Sequence, residues 1–292
     1  MIRFVTTREE LEEAVAQLSG SWLTRAKERA DRFRQAGRYD ESQGIWSEIK
    51  EVYMRLQHNK CAYCERRLAG PPFGNVEHDV EHFRPKSSVR AWPTPAIATS
   101  RAISYSFKTG DSADPGYYLL AYSLLNYATA CKTCNSPLKS NYFPIAGARN
   151  TGAEEPTALM DEEPFLLYPL GSFDADPETV LTFDGIIPVP VEKSGQAARR
   201  VKVIVDFFEL DTREELRRER SRILVGLWIA QRLRLFGDPA DQSFARQSIA
   251  NLTAPDSPHT NCARAFLRLI DENPARAGEL AREANDYLNS GS

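Results

Sequence analysis

The chain has 292 residues, of which 42% are hydrophobic, 26% charged and 10% aromatic, with a net charge of −3. That length suits one large domain or two modest ones, and the composition excludes wholesale disorder. The longest apolar run, Ile223 to Ala230, is too short for a membrane span, and the first ten residues lack the apolar core of a secretion signal, so a cytoplasmic protein with no membrane partner is expected.

Residues 1–58 predict a helical N-terminal segment. Thr6 or Thr7 can cap a helix through Glu9 to Leu18, with a glutamate three positions on to complete a capping box. A second helix is expected over 22–35. A third is expected over 39–57, where Ile45, Ile49, Tyr53 and Leu56 recur at helical spacing.

Residues 59–149 break that pattern with short segments and turn residues. Val76 to Phe83 predicts a strand ending at His82, Leu119 to Tyr127 a buried strand or helix, and Cys131 to Asn141 a turn opening a short helix. The connection over 87–116 is too long for a tight hairpin, and such loops tend to be functional or mobile. From 150 onward a Pro- and acid-rich linker to 169 is expected, then a hairpin around Asp184-Gly185, then helices over 199–236, 239–252 and 262–288. Charge is uneven: residues 60–149 carry 11 Lys/Arg against 6 Asp/Glu, whereas residues 150–292 carry 16 against 24. A basic stretch inside an acidic chain suits contact with a polyanion on one face.

Four of the five cysteines form two knuckles, Cys61-x-x-Cys64 and Cys131-x-x-Cys134. Two such pairs brought together make a tetrahedral thiolate site for zinc, and four thiolates leave that metal no open position, so it is structural. Any catalysis then needs a second site. His82 is the strongest general base, because an imidazole titrates near neutral pH. Glu81 beside it offers a hard oxygen suited to Mg²⁺ or Mn²⁺, and Asn135 adds an amide oxygen. Arg84, Lys86 and Lys139 are candidates for holding phosphates. On a strand, His78 shares a face with His82 and Asp79 points the other way; both are weighed against plain solvated polar positions. Tyr117, Tyr118 and Tyr122 read as core packing ahead of base stacking.

Together the knuckles, Glu81-His82-Phe83-x-Pro85-Lys86, Leu125-Asn126 and Cys134-Asn135-x-x-x-Lys139 resemble the HNH endonuclease family. The resemblance implies an α+β fold in which a zinc-stapled ββα-metal module is embedded in a mostly helical protein. It implies His82 as general base, Asn126 as the residue that braces the hairpin and orients the base, and Glu81 with Asn135 as ligands of one catalytic divalent cation. The chain departs from the commonest pattern in having glutamate at 81 and asparagine at 135. A looser similarity, through Tyr142-Phe143-Pro144, Glu163 to Pro169 and Asp184-Gly185, is to bacterial HNH proteins of the Septu and retron-associated anti-phage type. That implies DNA as substrate, with RNA as the alternative, and an ATPase partner. The competing expectation is a zinc-stapled module that binds nucleic acid or protein without cutting.

Overall fold

The computed structural model describes residues 1–290. The chain is a mostly helical α+β protein whose named strands form two separate two-stranded antiparallel sheets. It divides into two compact units. One comprises Arg3–Tyr63 with Leu68–Ala175; the other comprises Met1–Ile2, Cys64–Arg67 and the residues from Asp176 onward.

The first unit opens with α1 (Arg8–Leu18), capped as expected. The Thr7 hydroxyl accepts from the Glu10 amide, and the Glu10 carboxylate accepts from the Thr7 amide. Helix α2 (Trp22–Ala36) buries Trp22, Ala26 and Phe33. The helix expected over 39–57 is shorter: a 3₁₀ turn at Trp46–Ile49 runs into α3 (Lys50–Leu56). The Ile45 carbonyl accepts from the Trp22 indole N–H at 2.9 Å as well as from the Glu48 amide of the 3₁₀ turn at 3.1 Å. The apolar period still reports burial, since Ile45, Ile49 and Tyr53 are in the core.

Strands β1 (His78–His82) and β2 (Tyr127–Cys131) pair antiparallel, with His78 opposite Cys131 and His82 opposite Tyr127. They are joined by residues 83–126, which contain the short α4 (Pro95–Ser100) and two 3₁₀ turns where a strand or helix was expected before Tyr127. After β2 the chain makes one π-helical turn, Cys134–Lys139. The second half of the segment expected as a linker over 150–169 is interior. A 3₁₀ stretch at Pro156–Glu162 leads into Phe165, Leu166, Leu167 and Tyr168, all buried, and the Tyr168 hydroxyl donates to the Tyr127 carbonyl at 2.8 Å. Among its acids Glu162 departs from the expectation, because it is paired inside the protein rather than solvated.

The second unit begins with α5 (Pro177–Val180) and the expected hairpin, β3 (Leu181–Asp184) with β4 (Ile187–Pro190). Gly185 in the two-residue connection takes φ +61°, which glycine adopts without a Cβ penalty. The helix expected over 199–236 is two helices, α6 (Gly195–Phe208) and α7 (Glu214–Phe236), because Glu209 adopts the left-handed conformation that ends α6. Helices α8 (Pro239–Thr253), α9 (Thr260–Glu272) and α10 (Pro274–Asn289) complete it. Leu224, Leu227, Cys262, Phe266, Ile270 and Leu280 form the centre of its apolar core.

Candidate functional site

The two knuckles meet. Each of Cys61, Cys64, Cys131 and Cys134 is buried, and their sulfurs lie within 4.8 Å of one another. A tetrahedral zinc with bonds of about 2.3 Å needs sulfur separations of roughly 3.8 Å, so the set fits a structural metal such as zinc. Local hydrogen bonds pre-form the geometry. The Ala62 amide donates to the Thr129 carbonyl at 3.0 Å, and buried Gln57 both donates to that carbonyl and accepts from the Thr129 amide, at 2.9 and 2.7 Å. The first knuckle is thereby tied to β2, whose last residue, Cys131, opens the second. There the Cys134 amide donates to the Cys131 sulfur at 3.5 Å.

Beside the second knuckle lies a pocket of about 610 Å³, bordered by Trp46, Lys50, Asp79 to His82, Lys86, Lys132, Asn135 and Asn141 among others. It brings together His82, Glu81, Lys86 and Asn135 of the residues singled out from sequence. Strand alternation sets Asp79 and Glu81 on one side of β1, opposite the small Ala130 and Ala128, and His82 on the other. Two alanines opposite two carboxylates leave room for the residues of the following turn to lie against them.

His82 is held from three directions. Its Nε2 lies 3.1 Å from the Ala121 carbonyl; because a carbonyl only accepts, Nε2 carries the proton and Nδ1 is left as the basic nitrogen. The Tyr127 and Trp46 rings stand edge-on to the imidazole at 5.0 and 4.8 Å. Burial, then the charge of Lys86, pushes the His82 pKa well below its usual value, so the ring is neutral at pH 7. Asn126 fixes the chain just beyond it. Its side chain accepts from the Arg84 amide at 2.8 Å and donates to the carbonyls of Arg84 and Leu120 at 3.0 and 3.2 Å, while its own carbonyl accepts from the Phe83 amide.

The three cations expected to hold phosphates separate. Arg84 has no exposed side-chain surface and pairs with buried Glu162 at 3.1 Å. Lys139 is equally buried and pairs with Glu81 at 3.0 Å. Neither borders the pocket, because an ammonium or guanidinium in the interior must be paired to offset lost hydration. Lys86 alone of the three borders it, its ammonium 4.5 Å from the centre of the Trp46 ring and 5.2 Å from that of Tyr39. His78 turns away and bonds the Ala69 carbonyl at 3.2 Å, whereas Asp79 faces the pocket and accepts from the Asn135 amide group at 3.0 Å. Tyr117 is interior and donates to Glu162.

Glu81 and the Asn135 amide oxygen supply two hard donors at the pocket wall. Two protein oxygens plus water and substrate phosphate are what Mg²⁺ or Mn²⁺ ordinarily takes, so the residues fit such a cation. Burial raises the Glu81 pKa, and Lys139 beside it opposes that shift. Sequence reasoning missed Trp46, which lies outside every motif. Its indole fills the space that a side chain at Gly44 would need, and that proximity is set by the fold. Lys132, inside the second knuckle, was open to notice as a cation next to a ligand.

No family model matches the chain, and no solved structure matches it. It is similar to the Septu protein PtuB of Bacillus mycoides (strain KBAB4), at 32% identity over 177 residues, which is 60% of this chain and 50% of that protein. The match therefore spans about half the length of that curated relative, and it ties the chain by sequence to a Septu protein.

Proposed function

We propose that the chain is a metal-dependent HNH-type endonuclease that hydrolyses DNA phosphodiester bonds in anti-phage defence, working beside an ATPase partner. One observation carries the reading: the His82 ring is neutral, donates through Nε2 to the Ala121 carbonyl, and stands with Glu81 and Asn135 at one polar pocket. In this reading His82 Nδ1 takes the proton of the attacking water, and Asn126 holds the backbone behind the ring so that Nδ1 does not swing away. Lys86 draws in a phosphate oxygen. Glu81 and Asn135 would hold the Mg²⁺ or Mn²⁺, which when bound supplies positive charge to the phosphate and the departing oxygen. Arg84 and Lys139 act inside the scaffold, keeping the strand and the turn in place. Similarity to a Septu protein supports the defence setting.

Plasmid DNA and RNA incubated with purified protein in Mg²⁺, Mn²⁺ or EDTA test this. Cleavage of DNA that needs the metal and is lost in His82→Ala, with nucleic-acid affinity retained, is the expected result. Wild-type turnover by that variant overturns the assignment. The ion pair between Lys139 and Glu81 favours a second reading, a zinc-stapled module that binds without cutting, because it already occupies one oxygen of the proposed ligand. That reading expects zinc, binding and no metal-dependent hydrolysis. RNA cleavage alone would keep the mechanism and change the substrate.

A further inference from the structure

Asparagine at a ligand position carries a difficulty that aspartate does not. Only one end of the amide, Oδ1, can bind a cation; the other is a donor that a cation repels. The two orientations differ by a half-turn of the terminal group and occupy almost the same volume, so packing alone does not choose between them. Something must hold Nδ2 away from the metal.

In this structure that group is Asp79. Its Oδ2 accepts from Asn135 Nδ2 at 3.0 Å, and its Oδ1 pairs with the Lys132 ammonium. The half-turned amide would set Oδ1 against a carboxylate oxygen, two acceptors in contact, so the carboxylate selects one orientation. With Nδ2 committed to Asp79, Oδ1 is the end of the amide left for a cation in the pocket that both residues border. The elements make this contact durable. Asp79 sits on β1 opposite Ala130, and Asn135 follows Cys134, whose sulfur belongs to the four-cysteine cluster. The hydrogen bond therefore joins two segments whose separation is already set by the strand pairing and by the knuckle.

We infer that Asp79 is a positioning residue that orients the Asn135 amide, presenting Oδ1 as a donor for a hard divalent cation. The inference rests on the metal-dependent reading above and adds to it the residue that makes asparagine serviceable at this place. Lys132 balances the charge of Asp79, so that the second carboxylate anchors the amide instead of drawing the cation to itself.

The test is a double-mutant cycle read by Mn²⁺ binding, by calorimetry and by the loss of the free-ion paramagnetic resonance signal, without turnover. Asp79→Ala should weaken Mn²⁺ binding about 10- to 100-fold, as removal of a residue supporting a metal ligand does. With Asn135→Asp in place, both ends at position 135 are acceptors and orientation no longer matters. Asp79→Ala should then leave affinity unweakened or raise it, because the carboxylate no longer orients an amide and its removal relieves the contact between two acceptors. Equal weakening in both backgrounds, or none in either, overturns the inference while leaving the nuclease reading standing. Wild-type protein that carries zinc but takes up no Mn²⁺ overturns both. Zinc content and thermal melting serve as folding controls. Should Asp79→Ala fail to fold, a Mn²⁺-soaked wild-type crystal decides. Asn135 Oδ1 on the ion with Nδ2 still on Asp79 is expected; Asp79 in the coordination shell overturns the inference.

Discussion

The two units of this chain differ in what fills their interiors. In the first, Arg84, Glu162, Glu81 and Lys139 are buried as paired ions, and Asn126 and Gln57 are buried with their amides bonded to backbone. The second also buries charge, at Arg220 and Glu65, but there α7, α9 and α10 enclose a continuous apolar core around Leu224, Leu227 and Phe266. Helices satisfy their own backbone groups, so a helical unit can close over hydrocarbon alone. A unit that adds two five-residue strands, 3₁₀ turns and long connections to its helices cannot. It must satisfy its backbone with side chains, and it gains order from the sulfur cluster. The cost of that arrangement brings an opportunity: polar groups held rigidly in a poorly hydrated interior are what a reactive pocket requires.

The comparison breaks most severely at the cysteines. Cys131→Ser should lose the structural metal, whose binding contributes on the order of 10 kcal/mol to folding at such sites. Hydrogen exchange should then show β1 and β2 unprotected while α7 to α10 keep protection. Simultaneous loss of protection in all of them would show that the two units do not differ in this way. Next in size, Glu162→Ala leaves the Arg84 guanidinium buried and unpaired and should cost about 3–5 kcal/mol in urea unfolding. Arg84→Met combined with Glu162→Leu should recover part of that loss, since the apolar pair needs no hydration but Tyr117 and the Asn150 amide lose their acceptor. No recovery at all would mean that the unpaired guanidinium is not what the single change costs.

In the second unit, Leu224→Ala should cost about 2–5 kcal/mol by the cavity it leaves, with Mn²⁺ affinity unchanged. A changed affinity would blur the contrast. The smallest effect is a pH dependence at His259, whose pKa burial lowers below 6.5 against the opposing hydrogen bond that its Nε2 donates to Glu219. The unfolded chain then takes up a proton that the folded chain refuses. Stability is fully present above about pH 6.5 and falls as the pH drops below it. Glu219, whose pKa burial pushes up but its bonds to His259 and Arg66 together bring below the usual value, adds a further loss only at more acidic pH. His259→Gln should flatten the slope just below pH 6.5, and an unchanged slope would show that this histidine is not its source.

Much of the local structure was legible because it is encoded over a few residues. The Thr7 capping box and the hairpin at Asp184-Gly185 each rest on contacts between near neighbours in the chain, and the strand ending at His82 was read from its own residues although its partner lies at Tyr127–Cys131. The segment over 150–169 was not legible, because composition reports average polarity and cannot say that Glu162 has Arg84 waiting for it. Arg84 and Lys139 were misplaced for the same reason: a cation next to a motif looks the same in sequence whether it faces a phosphate or a buried carboxylate.

What the sequence determined by itself was the inventory and its spacing: four thiolates in two knuckles, a histidine beside a glutamate, and asparagines at 126 and 135. Those are facts of chemical type, and chemical type is readable residue by residue. Only the tertiary structure decided which of these groups meet. It turned Asp79 rather than His78 toward the pocket and set Trp46 against His82. It also took Arg84 and Lys139 out of solvent. The reason is that direction and burial depend on what lies across the strand and behind the ring, and those neighbours come from far along the chain.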